Sequence, residues 1–105
     1  MSEYTPDRWV IIKVSYENGE IENRVLASWY GGYLGSDSWK LGTGIQNHEK
    51  VGSVYAFTGS SGSTYHCHDG CYGMSSYTQS ILTSFGVRGD RVVLLSEDEV
   101  KALYV

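Results

Sequence analysis

An Asn-Gly pair between two runs of β-forming residues is the strongest constraint on how this chain folds. The first run, Arg8 to Tyr16, reads RWVIIKVSY, and the second, Ile21 to Tyr30, follows the Asn18-Gly19 pair. A two-residue type I′ turn requires positive φ at both central residues, which Asn and Gly tolerate best. The pattern therefore predicts an antiparallel hairpin whose apolar side chains meet on a common face. In the predicted register, Tyr16 lies opposite Ile21, Ile12 opposite Val25 and Val10 opposite Ala27.

The rest of the chain predicts three further strands, a helix, another strand and a second helix. Met74 to Phe85 has apolar residues at helical spacing and Gly86 where a helix would end. Its predicted buried stripe is Tyr77, Ile81, Leu82 and Phe85. Ser96 followed by Glu99 has the form of a capping box, so a short helix is expected from Glu97 to about Tyr104. The predicted strands are Ser38 to Leu41, Lys50 to Thr58, Ser63 to His68 and Arg91 to Leu95.

A chain of 105 residues accommodates one hydrophobic core and hence one domain, residues 1–105. The order of elements predicts an α+β fold with a mainly antiparallel twisted sheet of about five to six strands. One amphipathic helix is expected to pack on the sheet, and the second helix lies at the C-terminus. Residues 1–7 are polar, and the prediction for them is a frayed end.

The net charge and the distribution of apolar residues argue against a nucleic-acid-binding protein and against a membrane protein. The formal net charge is −4, so direct nucleic-acid binding through a broad basic surface is not expected. No apolar run approaches the roughly 20 residues of a membrane span, and the first ten residues do not have the pattern of a signal peptide. The expectation is a protein of the cytoplasm without membrane contact, whose two cysteines are reduced thiols.

The densest group of reactive side chains is His66-Cys67-His68-Asp69-Gly70-Cys71. Thiolates and imidazoles are zinc ligands, and a Cys next to a His is one element of a nucleophilic site. Neighbouring residues of a strand point to opposite faces, which separates Cys67 from His66 and His68. The prediction is therefore no metal, no cofactor and no catalytic residue, with a metal site at His66, Cys67, His68 and Cys71 as the alternative.

A second region, from Ser28 to Leu41, combines aromatic residues with a glycine-rich backbone. Aromatic faces beside a few polar groups suit a flat ligand or a protein partner. The alternative is that the tryptophans belong to the core. The predicted binding residues are Trp29, Tyr30, Tyr33, Asp37, Trp39 and Lys40. Further along, Gly59-Ser60-Ser61-Gly62 predicts a hairpin turn, with a phosphate-binding loop as the less favoured interpretation.

Two stretches of the chain resemble a group of small proteins of tailed bacteriophages and prophages. The first runs from Trp29-Tyr30-Gly31-Gly32-Tyr33-Leu34 to Asp37-Ser38-Trp39, and the second reads FTGSSGSTYHCH from Phe57 to His68. The likeness covers most of the chain between Arg8 and Phe85. It implies a phage origin and expression in the cytoplasm of a bacterial host, and it transfers no catalytic residue.

These observations favour a non-enzymatic phage accessory protein that binds a host protein or a small nucleotide-like ligand and so counters a host process. One alternative is a metal-bound or catalytic module built on the His66 to Cys71 cluster. Another is a minor component of the virion. The sequence leaves the partner, the ligand and the oligomeric state open.

Overall fold

Two sheets and two helices account for most of the computed structural model, which describes residues 2–30, 38–74, 76–85 and 91–104. The strands within these ranges are β1 (Glu3–Tyr4), β2 (Arg8–Ser15), β3 (Ile21–Trp29), β4 (Ser38–Leu41), β5 (Ile45–Val51), β6 (Val54–Gly59), β7 (Thr64–His68) and β8 (Arg91–Leu94). The helices are α1 (Ser76–Phe85) and α2 (Glu97–Leu103), and a 3-10 turn, Asp69–Cys71, follows β7.

The strands pair into two four-stranded sheets. The first sheet has the order β1-β7-β6-β5 and the second the order β4-β3-β2-β8. All described pairs of strands are antiparallel except β1 with β7. The predicted α+β class with mainly antiparallel pairing is thus confirmed, with the strands divided between two sheets. The expectation of a frayed N-terminus is corrected, because Glu3–Tyr4 pairs in parallel with Thr64 and Tyr65.

The Asn18-Gly19 hairpin forms, but its register differs by one residue from the prediction. Ser15, not Tyr16, lies opposite Ile21, and the Tyr16 amide donates to the Glu20 carbonyl oxygen at 2.8 Å. Within this loop Gly19 alone has positive φ, at 91°, since no described non-glycine residue does. The loop is therefore a three-residue connection with a glycine bulge, not a type I′ turn. The extra loop residue pairs Val10 with Leu26 and Trp9 with Ala27.

A second turn was missing from the sequence-based prediction. The single strand expected from Lys50 to Thr58 is in fact two strands, β5 and β6, joined at Gly52 and Ser53. Gly52 has a φ of 61°, which reverses the chain between Val51 and Val54. The residues on either side favour strands, so the pattern of apolar side chains hides the reversal.

The core between the sheets is rich in aromatic side chains. Trp9 on β2 is 1% exposed, and its ring lies 5.6 Å from that of Phe57 and 4.8 Å from that of Tyr72. The indole N–H of Trp9 donates to the His68 carbonyl oxygen at 2.6 Å. The side chains that form this core are Trp9, Ile11, Val25, Ala27, Tyr55, Phe57, Tyr65, Cys67, Leu95, Val100 and Tyr104.

The outer face of the second sheet carries a separate apolar cluster of Val10, Ile12, Val14 and Leu26. Helix α1 covers part of it, since Leu82 packs there, as the amphipathic pattern predicted. Ile81 is only half-buried, and among the α1 side chains that the structure describes the fully buried one is Thr78, at 1% exposure. The prediction that Ile81 is a buried core residue is therefore wrong. The side chains of Tyr77 and Phe85, and the predicted cap at Gly86, lie outside the described part of the chain.

Helix α2 begins with the predicted capping box. The Glu99 amide donates to the Ser96 hydroxyl at 3.1 Å, and the Ser96 amide donates to the Glu99 carboxylate at 3.0 Å. The bond from the Ser96 amide to the carboxylate lowers the pKa of Glu99, because it favours the charged form, and the Ser96 side chain adds to the effect. Val100 points into the core at 1% exposure, so the helix closes one side of the space between the sheets.

Replacing Gly19 tests the corrected turn. Gly19→Val should lower the free energy of unfolding by about 1 kcal/mol or more, because a β-branched residue is strained at positive φ. Gly19→Asn should lose less, since Asn tolerates this conformation better. Urea unfolding of both variants measures the difference. Equal losses for Val and Asn would contradict the glycine bulge.

A pair of isoleucines tests the positions of β2 and α1. Ile11 is fully buried between the sheets, whereas Ile81 is half-buried on α1. Ile11→Ala should cost about 2–5 kcal/mol of unfolding free energy. Ile81→Ala should cost clearly less, because it removes contacts from one side of the residue only. A loss at Ile81 equal to that at Ile11 would place α1 in the core, against the structure.

Candidate functional site

The structure divides the predicted aromatic segment between the two faces of the second sheet. Trp29 packs against the core, and its indole N–H donates to the Thr5 carbonyl oxygen at 3.0 Å. The Lys40 ammonium lies 5.3 Å from the centre of the Tyr4 ring. Tyr4 also stacks on Tyr65, with ring centres 5.1 Å apart. Trp29 and Lys40 therefore hold the N-terminal strand, which belongs to the first sheet, against the second sheet.

The other face presents a different group of residues at the same end of the sheet. Arg8 pairs with Ser28, and Ser28 pairs with Trp39, so the three lie in a row across β2, β3 and β4. Arg8 donates from Nε to the Tyr30 hydroxyl at 2.6 Å. Tyr30 is 53% exposed and Trp39 38% exposed. We call Arg8, Tyr30 and Trp39 the aromatic edge, because β4 is an outer strand of its sheet.

Two contacts hold the backbone beneath the aromatic edge. The Tyr30 amide donates to the Asp7 carboxylate at 2.8 Å, and the Ser28 hydroxyl donates to the Arg8 carbonyl oxygen at 3.3 Å. Ser28 is 6% exposed, so a small side chain fills the middle of the row while its two neighbours project. The aromatic edge is thus a surface of large side chains on a hydrogen-bonded support.

The predicted binding residues do not form one surface. Tyr30 and Trp39 belong to the aromatic edge, while Trp29 and Lys40 lie on the opposite face. Tyr33 and Asp37 lie outside the described residues. Arg8 was missed because the predicted hairpin register sets it opposite Trp29, whereas the observed register sets it opposite Ser28. A three-residue loop at Asn18-Gly19, which the same residues allow, sets Arg8 opposite Ser28.

The His66 to Cys71 cluster is spread over different surroundings. Cys67 is fully buried between the sheets, whereas the His66 ring is hydrogen-bonded to the Glu3 carboxylate at 2.9 Å on the outer face. His68 is exposed, and Cys71 packs against the edge of the core. Both cysteines are free thiols. The predicted separation of Cys67 from the two histidines is confirmed, and the described residues hold no group of three or more possible metal ligands.

Burial determines the protonation of this region. Desolvation raises the pKa of the Cys67 thiol, and the neighbouring Cys71 adds to the effect. Desolvation also raises the pKa of Tyr65 to about 12, with a smaller contribution from Tyr4. The Cys67 thiol is therefore protonated at neutral pH, whereas a nucleophilic cysteine needs its thiolate.

The Gly59 to Gly62 turn connects β6 and β7, as predicted. Its amides are already used: Gly59 donates to Ser63 and Gly62 to Gly59, both at 3.0 Å. Ser60 donates to the Gly44 carbonyl oxygen at 3.0 Å, and Ser61 to the Thr43 hydroxyl at 3.1 Å. A phosphate-binding loop needs amides that point to the ligand. The amides of this turn instead hold it against the loop of Thr43 and Gly44.

A groove of about 630 Å³ lies at the hairpin end of the molecule, between the β2–β3 hairpin and α2. The Asn23 amide donates to the Tyr104 hydroxyl at 2.9 Å on its wall. Ile21 and Leu103 are exposed at 59% and 55%. The residues that line it are Lys13, Ile21, Glu22, Asn23, Ile45, Leu95, Glu99, Ala102, Leu103 and Tyr104. Sequence reasoning missed the groove because its residues come from five separate segments.

Comparison of the chain with protein-family models, curated proteins and solved structures finds no match. Within the described ranges, neither helix has the length and apolar character needed to cross a membrane.

Thiol labelling tests the difference between the two cysteines. In the folded protein at pH 8, iodoacetamide should modify the half-buried Cys71 much faster than Cys67, whose thiol is buried and protonated. Both should react in denaturant. Peptide mass spectrometry locates the adduct, and equal native labelling of the two residues would contradict the core position of Cys67.

Proposed function

We propose that this chain is a non-enzymatic accessory protein of a tailed bacteriophage, which binds a host protein in the bacterial cytoplasm and so counters a host process. The contact surface is the aromatic edge. The phage origin rests on the resemblance of the two sequence stretches described above. The mode of action rests on one observation: Arg8, Tyr30 and Trp39 project together from the outer end of a hydrogen-bonded sheet.

The residue types of the aromatic edge support a protein partner. Trp, Tyr and Arg dominate the binding energy of protein interfaces, because they combine a large contact area with directional hydrogen bonds. Trp39 and Tyr30 are exposed in the free protein, and they are the aromatic residues among the large exposed side chains of the described ranges. The Arg8–Tyr30 hydrogen bond orders these two side chains before binding, which reduces the entropy lost on association.

The titratable groups support binding without turnover. Burial raises the pKa of Cys67, Tyr65, Tyr72 and Tyr104, and cap bonds lower that of Glu99, so these shifts lead away from neutrality. A general acid or base works best with a pKa near the working pH. Each of these shifted groups has a packing or capping role in the structure.

A small nucleotide-like ligand is the second candidate, and the groove beside α2 favours it. A volume of about 630 Å³ lies in the range of small-molecule sites. Its lining combines the Tyr104 ring and the apolar Ile21 and Leu103 with the Asn23 amide and the Lys13 ammonium. This site lies at the hairpin end, whereas the aromatic edge lies where β2 begins, so the two candidates can be separated by mutation.

Quantitative capture from a bacterial lysate tests the proposal. Trp39→Ala and Tyr30→Ala should stay folded and capture their partner at least about 30-fold less well, since interface anchors contribute about 2 kcal/mol or more. Val51→Ala is the matched control, because Val51 is 69% exposed on the other sheet. It should capture the same protein as the wild type, and circular dichroism verifies the fold of each variant.

Two results would contradict the assignment. Undiminished capture by both aromatic variants would remove the aromatic edge as the contact surface. A small molecule that native mass spectrometry detects on the wild type, and that Leu103→Glu alone displaces, would assign the function to the groove instead.

A further inference from the structure

Strand β8 leaves an apolar edge on the second sheet. It pairs with β2 on one side and is the terminal strand of the described sheet on the other. Val93 and Leu94 are 53% and 42% exposed, although both belong to a regular strand. Open strand edges pair readily with further strands, and proteins usually protect them with charges, bulges or very short strands.

The other described edges carry that protection. β1 has two residues, and β4 carries Lys40 within its four. β5 has seven residues, but a bulge interrupts its pairing near Asn47, and its sequence IQNHEKV is mainly polar. β8 is also four residues long, but its one charge, Arg91, stands at the first position, so the run Val92-Val93-Leu94 has neither a charge nor a bulge in its pairing with β2. An exposed edge of this composition is typical of a strand that pairs with another strand.

The hydrogen bonds to β2 define which backbone groups of β8 point outward. The Leu95 amide donates to the Ile11 carbonyl oxygen at 3.0 Å. In an antiparallel ladder the bonded residues alternate, so Val93 also bonds to β2 while Val92 and Leu94 direct their N–H and C=O groups to the open side. The open side of β8 thus offers the backbone N–H and C=O groups of Val92 and Leu94, the residues on either side of Val93.

The charges at the two ends of β8 favour an antiparallel partner of the same sequence. Arg91 begins the strand, and the exposed acidic first turn of α2, Glu97 to Glu99, follows its end. Antiparallel pairing of two copies places each arginine beside the other copy's acidic turn. Parallel pairing would instead place like charges side by side, which is unfavourable.

We propose that two copies of this chain associate through β8, antiparallel across a two-fold axis at Val93. This register pairs Val92 of each copy with Leu94 of the other, so all outward backbone groups of those residues are hydrogen-bonded. Val93 of one copy lies opposite Val93 of the other. Arg91 lies opposite Leu95 of the second copy, two residues before Glu97 of that copy. The second sheet of one copy and the second sheet of the other then form one continuous sheet across an isologous interface.

Sedimentation equilibrium of the full chain over a range of concentrations tests the dimer. The wild type should reach twice the chain mass of 11.7 kDa as its concentration rises. Val93→Lys should raise the dimer dissociation constant by about tenfold or more, because two ammonium groups would meet on the axis. Val51→Lys, at a more exposed position at the end of β5, should leave the dissociation constant unchanged.

A charge exchange tests the register. Arg91→Glu should weaken the dimer, and adding Glu97→Arg to the same chain should restore it. A wild type that stays monomeric up to its solubility limit would overturn the proposal, as would a dimer unaffected by Val93→Lys in a folded variant. Host-protein capture depends on the aromatic edge at the opposite side of the sheet, so failure of either proposal leaves the other intact.

Discussion

The buried indole of Trp9 is the contact on which the arrangement of the two sheets depends. Trp9 belongs to β2, yet its ring packs on Tyr55 and Phe57 of the first sheet, and its N–H donates to the carbonyl oxygen of His68 at the end of β7. Its own carbonyl oxygen accepts from the amide of Gly73, two residues after the 3-10 turn. One residue thus joins both sheets and the connection between them by packing and by hydrogen bonds. Because an indole N–H is costly to bury without an acceptor, this position also determines where β7 must end.

The burial of β2 on both faces explains why a domain this small needs helices as well as sheets. Trp9 and Ile11 face the first sheet, while Val10, Ile12 and Val14 face the opposite way, where α1 covers part of the surface. Arg8 is the first residue of this strand and remains exposed, since the strand begins at the edge of both apolar layers. Close packing also restricts the residue type at Gly59, where the loop of Thr43 approaches so closely that an added Cβ would collide with it. Close packing of the two sheets therefore leaves Arg8 of the aromatic edge exposed at the start of β2, and it brings the loops at Thr43 and Gly59 into contact.

Local patterns predicted most of the elements, and they failed where a single residue changes the geometry. β4 begins and ends where its pattern indicated, and the capping box of α2 forms as Ser96 and Glu99 predicted. The hairpin pattern fits two loop lengths equally well, because both faces of β2 are apolar and neither register exposes a large apolar surface. The one-residue difference then moved Arg8 away from Trp29 and placed it in line with Trp39. The reversal at Gly52 and the groove beside α2 depend on distant parts of the chain, which local periodicity does not report.

The two outer strands of the second sheet differ in chemistry, and this difference gives the two proposals a common physical consequence. β4 borders the aromatic edge, whose large polar-aromatic side chains suit a directional contact with a different protein, whereas β8 offers an apolar strand edge that suits a copy of itself. Pairing through β8 forms a sheet of eight strands with an aromatic edge at each end. Adjacent strands lie about 4.8 Å apart, so the two aromatic edges are separated by roughly 34 Å across the joined sheet. A dimer of this geometry holds two identical binding surfaces on one rigid body. Under both proposals such a dimer is expected to bind a target with repeated sites more tightly than the monomer does, because the second contact forms at a high effective concentration.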